Sequence, residues 1–340
     1  MAWFEDTFGF PESRAAVHAN TVCTDRWLHS TANGRAWRLG AFTTPSLREL
    51  ESAEPVGAEP VGAEPEDAEL EDAEPGRLEL RVQQGDVGAL MRDPANDGAV
   101  FQVASQANCL EFAHPRCVPE GGIAGYPLDR TQGPAACMAT PAAALWRCHL
   151  MPVESQRGQT ADCQVNLLRD VLPGMLEVRN GYTFSTPDKL RGAAKFLFVP
   201  KVRSAMRRSV RVGVHADCGV GSGVATYAGS GSDDHHHAVD LVLACACSVA
   251  YSAGSPAEWR AVASVVLEGA YEATLAAAVR LGKTTVFLTL LGAGAFGNPL
   301  PWVADAIRAA CWRWRAHPLR VTVVVYSAAQ VEQVKQLLAV

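Results

Sequence analysis

The chain has 340 residues, 48% hydrophobic content and a formal net charge of −6. That length can bury a large core in one big domain or two modest ones, and no run of 18 apolar residues is present to cross a membrane. The charge is unevenly placed: residues 49–74 hold eleven acids and no base, which leaves 25 acids against 30 Lys and Arg elsewhere. The remainder is mildly basic, which suits an anionic ligand and argues against a nucleic-acid groove.

The N-terminus carries acids (Glu5, Asp6) where a signal peptide needs bases and an apolar stretch. Residues 1–48 hold Trp3, Phe4, Phe8, Phe10, Trp27, Trp37 and Phe42, and are expected to form an arm packing on the main domain. An imperfect Glu-Pro-Val-Gly-Ala repeat follows within 51–75. It can bury little apolar area and its like charges repel, so 49–76 reads as an acidic low-complexity linker. The ten cysteines are scattered without a Cys-x-x-Cys pair, and Cys109, Cys245 and Cys247 sit in apolar runs. Reduced, buried thiols and an intracellular compartment, cytoplasm or nucleus, are the expectation.

Residues 77–340 read as the main domain. Leu78, Leu80 and Val82 alternate as a strand does, and Gly85-Asp86-Val87 ends it and opens a helix. A second strand begins near Gly98 and ends in polar Ser105, Gln106 and Asn108, which are ligand candidates at the carboxyl edge of an α/β sheet. A loop over 117–134 contains Gly121, Gly122, Ile123, Gly125 and Asp129, and residues 134–148 look helical with an interruption at Pro141. Strands are expected over 195–200 and 210–214, a Gly/Ser-rich loop over 219–237, and a strand over 238–250. A helix over 259–281 follows.

The most informative stretch comes next. An apolar strand over 284–291 runs into Gly292-Ala293-Gly294-Ala295-Phe296-Gly297, then into a helix over 300–316. Strand, glycine turn and helix together present backbone N–H groups to a phosphate. A strand over 320–326, ending in Tyr326, and a helix over 328–338 complete the chain. Strands alternating with helices at this spacing predict a three-layer α/β/α sandwich with a mixed, mostly parallel central sheet.

The order of these motifs resembles the macrodomain family, the modules that bind ADP-ribose. Gly85-Asp86-Val87 looks like its Gly-Asp-Ile turn, and Gln102 to Asn108 like its strand ending in Asn-Ala-Ala-Asn. Gly121-Gly122-Ile123-Ala124-Gly125 looks like its first glycine loop, and Leu291 to Gly297 like its second phosphate loop. The chain departs in its longer 140–240 region, in the missing third glycine of the first loop, and in the missing Glu-Glu pair of the poly(ADP-ribose) glycohydrolase branch. A divergent macrodomain-like branch is the reading.

The resemblance implies ADP-ribose or an ADP-ribosylated molecule as ligand, with no cofactor, and with hydrolysis of ADP-ribosyl linkages as a further activity. Asp86 and Val87 would meet the adenine, with Tyr326 stacking on it. Both glycine loops (Gly121, Gly122, Ile123 and Gly125; Gly292, Ala293, Gly294, Ala295, Phe296 and Gly297) would hold the diphosphate, and Asn108 would meet the distal ribose. One alternative is a glycohydrolase in which Asp129 activates water at that ribose. Another is a scaffold whose acidic segment recruits a basic partner. A metal centre built from Asp233-Asp-His-His-His237 with His215, Asp217 and Cys218 is set aside, because adjacent histidines do not converge on one ion from a regular element. Arg203, Arg207, Arg208 and Arg211 read as a solvated face.

Overall fold

The computed structural model describes residues 2–24, 26–52, 78–221, 223–225 and 237–340. Most of the acidic repeat and the 233–236 part of the histidine run lie outside the described residues. The arm contains α1 (Ala2–Phe8), α2 (Arg14–Asn20), β1 (Thr21–Cys23), β2 (Trp27–Ser30) and β3 (Arg35–Arg38), followed by β4 (Ala41–Thr43) and α3 (Leu47–Ser52). Next come β5 (Glu79–Gln84), α4 (Val87–Arg92), β6 (Val100–Ala104), α5 (Gln132–Ala139) and α6 (Pro141–Leu145). Two hairpins follow, β7 (Pro152–Val153) with β8 (Gln156–Arg157), and β9 (Glu177–Arg179) with β10 (Tyr182–Phe184). The rest is α7 (Pro187–Leu197), α8 (Pro200–Arg208), β11 (Gly213–Gly219), β12 (Val224–Ala225), β13 (Ala238–Ala244), α9 (Pro256–Arg280), β14 (Thr285–Leu288), α10 (Leu300–Arg313), β15 (Arg320–Val325) and α11 (Ala328–Leu338).

The central sheet has seven strands in the order β4-β11-β13-β6-β14-β15-β5. The five from β13 to β5 are parallel, and β11 and β4 add an antiparallel flank. Helices α9 and α10 cover one face, while α4, α5 and α6 lie on the other, so the three-layer α/β/α expectation holds. Every residue of β13 is buried, as a strand covered on both faces requires. Phe101 of β6 and Phe287 of β14 are register partners whose rings stack at 4.5 Å. Helix α9 starts with a capping box between Ser255 and Glu258. Its length and composition would suit a membrane span, but 83% of that window is buried against the sheet and α3, α7, α8 and α10. Alanine on both faces lets neighbours approach from either side.

The arm does more than pack on the sheet. Phe4, Phe8, Phe10 and Trp37 form its buried aromatic centre, and β4 pairs with β11 as the edge of the main sheet. The strand expected over 195–200 is instead the end of α7 and the start of α8. Thr186 caps α7 and Pro187 opens it, while Leu190, Ala193 and Leu197 give it a helical apolar stripe. The Phe-Leu-Phe-Val run therefore spans a helix end and the joint, with Phe198 at 88% exposure. The strand expected over 238–250 stops at Ala244, and the one expected over 210–214 begins at Gly213 and runs on to Gly219.

The basic cluster is paired throughout. Arg203 meets Glu268 at 2.5 Å, Arg208 meets Glu51 at 2.6 Å, and Arg211 meets Asp170 and Glu49. Buried Arg207 pairs with buried Glu272 of α9, so this member is interior rather than solvated.

Candidate functional site

A cleft of about 390 Å³ opens at the carboxyl ends of the parallel strands. Gly85, Asp86 and Val87 line it after β5, Val324 to Tyr326 at the end of β15, and Thr289 to Phe296 after β14. Ser105, Gln106 and Glu111 line it beyond β6, together with Asp129 to Gln132 at the start of α5. Parallel sheets place ligands at this edge because the loops there connect strands to helices on both faces.

The opening arises where β14 leaves β6. The two strands pair only at Val286/Val100 and Phe287/Phe101. Ser105 N–H donates to Ala244 O on the β13 side, so Ala104 N–H and Gln102 C=O face the flank that β14 vacates. The Gln132 side chain takes the place of the strand: it accepts from Ala104 N–H at 2.8 Å and donates to Gln102 O at 3.0 Å. The buried Gln102 side chain then accepts from Thr289 N–H at 3.2 Å and donates to Thr274 of α9 at 2.7 Å. The backbone groups bared by the splay are thus paired.

The second glycine turn is held from outside the cleft. Tyr271 Oη donates to Thr289 O and accepts from Leu291 N–H. Asn298 Nδ2 donates to Cys247 O and Gly292 O. Gly292 has φ +67°, and a Cβ there would lie 2.5 Å from Asn298 Nδ2 and 2.6 Å from Ala246 Cβ. A Cβ at Gly294 would meet nothing within 4 Å. The N–H groups of Gly294, Ala295 and Phe296 have no acceptor among the described residues. Successive backbone amides without an acceptor at a turn are the donors from which anion-binding nests are built, and these three residues line the cleft. The Phe296 ring packs on Tyr182 at 5.2 Å and Tyr251 at 6.0 Å.

Asp86 is exposed, and its Oδ1 accepts from Ala89 N–H at 2.8 Å as the N-cap of α4. Its other oxygen makes no hydrogen bond among the described residues. Tyr326 is 78% exposed at the same end of the cleft. Asp129 Oδ1 accepts from Thr131 N–H at 2.9 Å and so organises the turn into α5.

The remaining sequence candidates are elsewhere. Gly121, Gly122, Ile123 and Gly125 do not line the cleft. The carboxylate of Glu12, from the arm, accepts from Ile123 N–H at 2.8 Å and Ala124 N–H at 2.5 Å. His149 Nε2 lies 2.8 Å from the same carboxylate. A Cβ at Gly122 would lie 2.3 Å from the Glu12 carboxyl carbon. The first glycine loop is therefore a carboxylate nest that the protein fills with its own side chain, and the expected convergence of two loops on one diphosphate is not met. Asn108 is fully buried away from the cleft: it accepts from Leu110 N–H and donates to Gln164, tying a turn in which Cys109 has φ +61°. Gly297, at φ +71°, closes the second turn without lining the cleft.

No group of three or more His, Cys, Asp or Glu is placed to hold a metal among the described residues. Arg147 is fully buried and donates to His215 Nδ1 at 3.2 Å, to Cys109 O and to Cys137 Sγ. His215 Nε2 is 2.8 Å from Leu39 O, which fixes the neutral tautomer with Nε2 protonated. Burial, followed by the Arg147 charge, pushes the His215 pKa well below its usual range. Asp217 pairs with Arg38 at 2.5 Å. Burial pushes the thiols of Cys109, Cys245 and Cys247 up, the last to about 12, so none is a ready nucleophile.

Glu111 belongs to none of the sequence motifs above. It is 6% exposed, lines the cleft, and its Oε1 has no partner among the described residues. Burial, more than the opposing Ser105 hydrogen bond, holds its pKa well above the carboxylate range. A Cβ at Gly133 would lie 2.2 Å from Glu111 Oε2, so the missing side chain at Gly133 makes room for this carboxyl. The available signal was an acid inside the apolar run Cys109-Leu-Glu-Phe112.

No family model matches the chain, and no curated protein matches it. Among solved structures, it is similar to poly(ADP-ribose) glycohydrolase from Thermomonospora curvata at 15% identity and a TM-score of 0.42, over 96% of this chain and 97% of that one. It is likewise similar to poly(ADP-ribose) glycohydrolase from Deinococcus radiodurans in complex with ADP-ribose, at 13% identity and a TM-score of 0.40, over 78% of this chain and 85% of that one. At such identities and TM-scores the likeness leaves the reading of the site to the cleft's own geometry.

Proposed function

We propose that the cleft binds ADP-ribose or a related nucleoside diphosphate sugar, and that the protein hydrolyses ADP-ribosyl linkages there. The observation that carries the binding reading is the nest of free amides at Gly294, Ala295 and Phe296, midway along the cleft. From β5 to β6 the cleft crosses three strand spacings, roughly 14 Å. At the β5 end, Asp86 offers an acceptor to a purine amino group beside the Val87 backbone, and Tyr326 offers a ring to stack on. The nest takes the diphosphate, with Gly292 and Ala293 shaping the turn and Phe296 against a ribose. At the β6 end the distal ribose meets acidic side chains, where the free oxygen of Asp129 activates water for attack at the anomeric carbon.

Calorimetric titration with ADP-ribose, ADP and AMP tests the binding. ADP-ribose is expected to give heat and to raise the melting temperature, and no response at about millimolar ligand, an affinity near −4 kcal/mol, overturns the reading. Gly292→Val is expected to weaken binding by roughly tenfold or more. A β-branched residue at positive φ is strained by about 1–3 kcal/mol, and its Cβ collides with Asn298 and Ala246. Unchanged affinity in that variant removes the glycine turn from the site.

A further inference from the structure

We propose that Glu111 is the catalytic acid of this cleft, a role that rests on the hydrolase reading above. Glu111 is more than nine-tenths buried, its Oε1 is unpartnered among the described residues, and it stands on the cleft wall with Asp129. Its backbone N–H donates to Tyr126 Oη at 3.0 Å, which anchors the residue while leaving the carboxyl for the ligand. Gly133, in the first turn of α5, supplies the space: any side chain there would displace Oε2 and meet Ala104 O at 2.4 Å. A buried carboxyl oxygen without a partner costs stability, and this one belongs to a residue that lines the same cleft as the free amides of the glycine turn.

The charged and titratable groups facing it are Asp129, Arg147, Tyr126, Cys109, Cys137 and Tyr182. Burial is the largest influence and outweighs the Ser105 hydrogen bond and the Arg147 charge, which both favour the ionised form, while Asp129 adds to it, so the carboxyl holds its proton more tightly than an exposed glutamate does. The chemistry follows from two carboxyl groups in different environments. The C–O bond between the distal ribose and the leaving group breaks, and the bonding pair stays on the leaving oxygen. Glu111 gives its proton to that oxygen. Water adds to the anomeric carbon and loses a proton to the Asp129 carboxylate. The products are free ADP-ribose and the unmodified hydroxyl or carboxyl of the substrate, and proton exchange with solvent restores both acids.

The test compares wild type, Glu111→Gln and Glu111→Asp, measuring ADP-ribose affinity by calorimetry and release of ADP-ribose from an auto-ADP-ribosylated protein. Expected are an affinity within about threefold for all three and a kcat lower by about 10²–10⁴ in Glu111→Gln, the usual contribution of general acid catalysis. Partial recovery is expected in Glu111→Asp. The high-pH limb of the wild-type profile should disappear from the residual Glu111→Gln activity. Wild-type turnover in Glu111→Gln overturns the assignment. If wild type binds ADP-ribose but releases none from the modified protein, the assignment falls and the binding reading stands. If wild type does not bind ADP-ribose, both fall.

Discussion

Glu111→Gln is expected to stabilise the fold at neutral pH, by an amount that grows with pH. Burial raises the folded-state pKa of Glu111 above its unfolded value. Below the unfolded value both states hold the proton, and the residue contributes no pH dependence. As pH rises past that point the unfolded chain releases the proton and the folded one retains it. The wild type then loses stability by up to about 1.4 kcal/mol per pH unit until the folded-state pKa is reached. Glutamine has the same shape and no proton to release. Chemical denaturation of both proteins from about pH 4 to about pH 8 should show curves that coincide at the acid end and separate toward the alkaline end. Curves that stay parallel would mean that the folded protein ionises Glu111 normally. Stability gained where activity is lost is the usual signature of a strained functional group.

Glu12→Ala should cost about 3–5 kcal/mol, because it leaves three groups without an acceptor. The Ile123 and Ala124 amides and His149 Nε2 all converge on that carboxylate. Gly122 has φ +75° and a site shaped around the Glu12 carboxyl, so no protein side chain beside it fills the hole. The same contact pins the arm to the main domain through residues more than a hundred positions apart. Urea titration should show a lower midpoint with an unchanged slope. A midpoint within experimental scatter of wild type would mean that water replaces the carboxylate at no cost.

These two acids also mark the limit of reading this chain in one dimension. The strand, glycine turn and helix over 284–316 were legible because each signal is local: apolar residues for a buried strand, glycine for positive φ, and a periodic stripe for α10. The same holds for α9, β15 and α11 and for the layered architecture, since alternation of strands and helices leaves few ways to cover a parallel sheet. The Phe196-Leu-Phe-Val199 run misled because strand and helix-end readings of a short apolar run differ only in the cap upstream, Thr186-Pro187.

Two glycine loops look alike in sequence, since both need only small residues and free amides. Which one stays open depends on whether a carboxylate from a distant segment reaches it, and Glu12 reaches the first. Asn108, two residues beyond the cleft-lining Gln106, turns inward because the chain doubles back at Cys109. Glu111 reaches the cleft wall through that same turn, and the absent Cβ of Gly133 leaves its carboxyl room. Local backbone preference is written residue by residue, whereas the charge and solvation of a site depend on side chains that folding brings together from far along the chain.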